Sequence, residues 1–139
     1  MQFDMSSEFE ARALRRLTED TLGWLTTVAA DGTPQPSPIW FLWDGETVLI
    51  YSKPDAPKVR HITANPRVSL NLMSDEHGGN VVIFTGEARI DESAPLAHQV
   101  PAYYEKYQEG VKSIGMTPEA MGQTYSRAIR FTPTKLRGH

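Results

Sequence analysis

The 139 residues fit one domain of ordinary size, which excludes an enzyme with separate cofactor and substrate domains. Fourteen Lys+Arg against 17 Asp+Glu give a net charge of −3, and 40% hydrophobic with 22% charged residues is ordinary globular composition, excluding a disordered chain and a globally basic nucleic-acid binder. With no cysteine there is no disulfide, thiolate nucleophile or Cys-ligated metal.

In chain order, Met1 to Glu10 is polar and acidic where a secretory signal would place a basic stretch and an apolar run. The longest apolar stretches, such as Val81 to Phe84, are too short to span a bilayer, so the expectation is a soluble cytoplasmic protein with no membrane partner. Ser7 to Asp20 reads as a helix, because Phe9, Ala13, Leu14 and Leu17 recur at three- and four-residue steps, with Ser6 or Ser7 as N-cap. From Leu22 the period becomes two, through Trp24, Thr26 and Val28, until the hairpin dipeptide Asp31-Gly32. A second strand is expected over Gln35 to Trp43, closed by Asp44-Gly45, and a third over Thr47 to Tyr51, ended by Pro54 and Pro57. Joined by tight turns, these three would form an antiparallel meander.

Ala56 to Asn65 reads as a short helix with Pro57 in its first turn and Asn65-Pro66 as its stop. Arg67 to Met73 alternates as a strand, Ser74 to Asn80 is a polar loop, and Val81 to Ile90 is a long strand whose Gly86 marks a bulge or close backbone approach. Glu92 to Glu109 is expected to be helical with Pro101 as an interior break, Thr117-Pro118-Glu119 to start another short helix, and Tyr125 to Thr132 to form the last strand. The βαβ rhythm is absent. The fold class is therefore mainly β with peripheral helices: six strands in a closed or partly closed antiparallel barrel, in one domain over 1–139.

The densest chemistry lies in Ser52-Lys53-Pro54-Asp55-Ala56-Pro57-Lys58-Val59-Arg60-His61, where Lys53, Lys58, Arg60 and the Ser52 hydroxyl gather at a strand end and a helix N-terminus. Free N–H groups, the positive end of the helix dipole and three cations together suit an anion such as phosphate. The competing reading is a solvated helix face with ordinary surface lysines. Pro36 and Pro38 cannot donate to a ladder, so the start of the second strand is an edge, a bulge or a wall facing a ligand. There Gln35 and Ser37 could bond the edge of a planar heteroaromatic ring, while Trp40 and Trp43 read better as core or interface aromatics. His61, His77, His98 and His139 are scattered and form no metal motif, and the dinucleotide, P-loop and hydrolase glycine motifs are missing. Redox chemistry, if present, falls to a bound cofactor.

Taken in order from Leu17 to Phe131, several segments form an ensemble: Leu25-Thr26-Thr27-Val28, Asp31-Gly32-Thr33-Pro34-Gln35-Pro36-Ser37-Pro38, Ile50-Tyr51-Ser52, Lys58-Val59-Arg60-His61-Ile62 and Asn65-Pro66-Arg67-Val68. It resembles the pyridoxamine 5′-phosphate oxidase-like split-barrel superfamily, and within it the actinobacterial branch that uses the deazaflavin coenzyme F420. The resemblance implies a split-barrel homodimer with a cofactor groove at each subunit interface, and hydride transfer from the reduced deazaflavin to an unsaturated small-molecule substrate. By the same resemblance Ser52, Lys53, Lys58 and Arg60 hold the cofactor phosphate. Gln35, Ser37, Pro38 and Ile39 border its ring, and Thr85 and Gly86 are further candidates on the neighbouring long strand. The resemblance carries no obligatory acid or base. The chain ends at Leu136-Arg137-Gly138-His139 without the longer substrate segment of the vitamin B6 oxidase, which argues against oxidation of pyridoxamine phosphate. FMN is the alternative cofactor, and a non-catalytic flavin- or tetrapyrrole-binding module the alternative function.

Overall fold

A computed structural model describes every residue from Met1 to His139. Ser7 caps α1 (Glu8–Glu19): its hydroxyl accepts the Glu10 N–H at 3.2 Å, and Ala13 and Leu17 form the buried stripe. β1 (Gly23–Val28) turns at Gly32, which takes φ +87°, into β2 (Pro34–Ile39). β3 (Leu42–Trp43), β4 (Val48–Ser52), α2 (Pro57–Ala64), β5 (Arg67–Leu72) and β6 (Val82–Ile90) follow. A 3-10 turn (Ala97–Gln99), α3 (Pro101–Ser113), α4 (Pro118–Thr124) and β7 (Arg127–Gly138) complete the chain. No helix is long and apolar enough to cross a membrane.

The seven strands form one antiparallel sheet in the order β2-β1-β5-β6-β7-β4-β3. Its two end strands are joined by Trp40 and Phe41 alone, so the sheet curls until its edges nearly meet. This is a split barrel. The expected six strands become seven, and the expected meander does not form, because the run Gln35–Trp43 divides at Trp40–Phe41: β2 pairs with β1, whereas β3 pairs with β4 at the other edge. The physical reason lies far away in sequence. The Phe41 N–H donates to the Tyr107 hydroxyl at 2.8 Å and the Phe41 carbonyl accepts from Lys106 Nζ at 2.7 Å, so side chains of α3 take the place of a strand ladder. Prolines 34, 36 and 38 alternate along β2, so every missing donor falls on its outer edge, which blunts that edge against further pairing.

The expected break at Pro101 is instead a start. Proline needs no N–H bond in a first turn, and α3 begins at Pro101. The bulge expected at Gly86 is present between Thr85 and Gly86, where a Cβ would collide with the Thr132 carbonyl. β4 is buried on both faces: Val48 and Ile50 enter the aliphatic and phenylalanine core inside the curl, and Leu49 and Tyr51 face a second cluster under α3 and α4.

Candidate functional site

β4 ends at Ser52, and the chain turns through Lys53–Ala56 into α2, whose N-cap, Ala56, offers no capping side chain. Between this corner, the end of β2 and the helical flank lies a cleft of about 340 Å³. Its walls are apolar, with Pro38, Ile39 and Trp40 from one edge, Ala56 from the corner, and Ile114, Met121 and Tyr125 from the helices. Tyr51 and Tyr103 lie beneath, and the polar rim is Ser52, Lys53 and Lys58. Trp40 is held in place by stacking on Tyr107 at 4.6 Å with the rings 3° from parallel, and by Gly110, where a Cβ would approach its ring to 3.0 Å.

Lys53 and Lys58 have no carboxylate partner; the cations of the chain's ion pairs are Arg16, His77, Arg89, Lys112, Arg127 and Arg130. Lys58 is half-buried, and burial holds its amine below the ordinary lysine value. A bound anion would restore the favourable surroundings that the charged form lacks. Lys53 reaches over the Tyr125 ring, with Nζ 5.8 Å from its centre. The Ser52 hydroxyl donates to the Lys53 carbonyl at 3.0 Å, which fixes the corner and leaves its lone pairs rather than its proton for a ligand. Tyr51 donates to the Pro95 carbonyl at 2.6 Å, and burial pushes its phenol up to about 12. No Asp, Glu or His lines the cleft within one chain.

Of the residues singled out from sequence, Pro38, Ile39, Ser52, Lys53 and Lys58 meet in this cleft. Arg60 is exposed on α2 and does not line it, because two residues along a helix turn a side chain to another face. Gln35 and Ser37 sit on the edge strand opposite Thr27 and Leu25, also outside the lining. Thr85 and Gly86 line a different, shallower depression of about 510 Å³, together with Arg67, Glu87 and Lys135. Within one chain the expected ring contacts therefore do not meet: Pro38 and Ile39 line the cleft, Thr85 and Gly86 the second depression, and Gln35 and Ser37 neither. Sequence reasoning missed Tyr103, Ile114, Met121 and Tyr125. Tyr103 and Tyr107 stand one helical turn apart on α3, a spacing that marks a shared face but not what that face packs against.

Residues 9–139 match the model of the family described as pyridoxamine 5′-phosphate oxidase. None of the curated proteins compared matches the chain. Among solved structures, an F420 reductase is 27% identical with a TM-score of 0.67, covering 88% of this chain and 94% of that one. A putative pyridoxamine 5′-phosphate oxidase from Listeria innocua is 25% identical with a TM-score of 0.68, covering 94% and 97% respectively. The heme storage protein HutZ from Vibrio cholerae, 19% identical with a TM-score of 0.63 and covering 99% and 95%, shares the fold. With the family match running through almost the whole chain and a split barrel beneath it, the protein belongs to the pyridoxamine 5′-phosphate oxidase family.

Proposed function

We propose that this protein is an oxidoreductase that binds a phosphate-bearing flavin-type cofactor in the cleft beside β4, with the deazaflavin F420 preferred over FMN. The observation that carries the reading is the pair of unpartnered lysines, Lys53 and Lys58, on the rim of an aromatic-walled cleft. Each lysine would donate charge-assisted hydrogen bonds to the phosphate, and the uncapped start of α2 adds the positive end of its dipole. Pro38, Ile39 and Trp40 would form the flat wall against the ring, and the apolar side chains of Ile114 and Met121 would exclude water from the reacting face. When bound, the reduced cofactor supplies the hydride for an unsaturated small-molecule substrate. The chain's own share is to bind, orient and exclude water, in keeping with a cleft that lacks acids and histidines.

The 27% identity to an F420 reductase favours the deazaflavin. A homodimer is part of the proposal: Gln35, Ser37, Thr85 and Gly86, which lie outside the cleft within one chain, would come to the ring from the second copy. Purified protein titrated with F420 and with FMN, followed by cofactor fluorescence, is expected to bind F420 more tightly. Equal or tighter binding of FMN would assign the protein to flavin instead, and binding of neither would overturn the cofactor reading.

A further inference from the structure

One polar group in the cleft is used neither by the fold nor by the anion site. Three tyrosines are buried in the cluster outside β4. Tyr51 donates to Pro95, and the Tyr107 hydroxyl accepts the Phe41 N–H while donating to the Thr21 carbonyl at 2.9 Å. Tyr103 is only 2% exposed, and its hydroxyl makes no hydrogen bond within the chain. Buried polar atoms that are both unbonded and sealed from solvent are Arg12 Nε and His98 Nδ1 alone. The Tyr103 hydroxyl is unbonded but not among them, so it keeps some contact with solvent, and the residue lines the cleft.

The ring beneath that hydroxyl is fixed. Tyr51 packs edge-on against it at 5.0 Å and 84°, and Tyr107 meets it at 5.0 Å and 39°. Both neighbours are themselves pinned by their hydroxyl bonds. Phenylalanine would keep every one of these packing contacts, so the oxygen contributes nothing to the fold that the ring does not. We propose that the Tyr103 hydroxyl is a preorganised hydrogen-bond donor to a carbonyl oxygen on a planar ligand lying in the cleft. A phenol donates more strongly than it accepts, and burial raises the pKa of this one, so it carries its proton at neutral pH. The aromatic and aliphatic walls suit a flat apolar ring, while Lys53 and Lys58 are left for an anionic arm. Such a carbonyl belongs either to the cofactor ring or to a second, oxidising substrate.

The inference rests on the cleft being the ligand site. Lys58→Ala tests that reading separately, since it lowers affinity for FMN but not for a phosphate-free ketone. For Tyr103 itself, equilibrium dialysis compares the full-length protein with Tyr103→Phe, using 2-acetylnaphthalene, its carbonyl-free counterpart 2-ethylnaphthalene, and FMN. Loss of one donor is expected to weaken a carbonyl ligand about tenfold, leaving 2-ethylnaphthalene and the thermal midpoint unchanged. A loss confined to acetylnaphthalene assigns the carbonyl to the substrate, and a loss for FMN assigns it to the cofactor ring. Unchanged affinity for both carbonyl ligands, binding of neither by the unaltered protein, or an equal loss for 2-ethylnaphthalene would overturn the proposal.

Discussion

The two faces of β4 meet two different interiors. Inside the curl, Val48 and Ile50 belong to a cluster of sixteen buried apolar residues drawn mainly from α1 and the strands. Outside, Leu49 and Tyr51 join a cluster of eight that includes three tyrosines and borders Lys53, Lys58 and Lys106. The first interior is held mainly by apolar packing, and the buried Thr27 hydroxyl, on the same face of β1 as Leu25, lies within hydrogen-bond distance of His61 Nδ1 at 2.9 Å. The second depends on directed hydrogen bonds, each with a distant partner, and it carries the cleft. The larger apolar core lies on one side of a single strand and the candidate cleft on the other.

The largest expected effect lies on the barrel side. Phe84 is fully buried inside the curl, and Phe84→Ala is expected to cost about 3–5 kcal/mol of unfolding free energy. In a urea titration the midpoint should fall accordingly, while protein still folded at low urea keeps its cofactor affinity. A loss of affinity in the folded fraction would show that the two interiors are not separable.

A smaller effect sharpens the helical side. Lys106 donates to the Phe41 carbonyl, lies 4.1 Å above the Phe41 ring, and is held by burial at about 8, below the ordinary lysine value. A depressed lysine makes the folded state bind fewer protons than the unfolded one. Its destabilising effect is therefore complete below about pH 8 and fades as pH rises toward the unfolded lysine value of about 10.4. Relative to Lys106→Met, the unaltered protein should gain stability between pH 7.5 and 9.5, read as a rise of its urea midpoint against that of the variant. Parallel curves would mean that the amine is not desolvated at this crossover.

What the sequence made legible follows the same division. The hairpin after β1, the Ser7 cap, the bulge at Gly86 and the cationic corner from Ser52 to Lys58 are all set by neighbours within a few residues, and each is found where the local pattern predicts it. The crossing at Trp40–Phe41 is set by Lys106 and Tyr107, with partners 65 and 66 positions apart, which no local periodicity can report. That contact turned one expected strand into two and an expected meander into a split barrel. The cleft was half legible for the same reason. Its lysines and the end of β2 are local features, whereas Tyr103, Ile114 and Met121 arrive by packing of α3 and α4 against β4.

The proposed function rests on an anion site at the corner between β4 and α2 that serves the cleft. The most direct measurement is the affinity of Lys53→Ala and Lys58→Ala for F420, and for FMN if that binds more tightly, at fixed salt and neutral pH. Each lysine would make charge-assisted hydrogen bonds of about 1.5–3 kcal/mol, so each variant should bind roughly ten- to a hundredfold more weakly, with its thermal midpoint unchanged. Unaltered affinity in both variants would rule out this anion site, because the phosphate would then have to be held somewhere other than this corner.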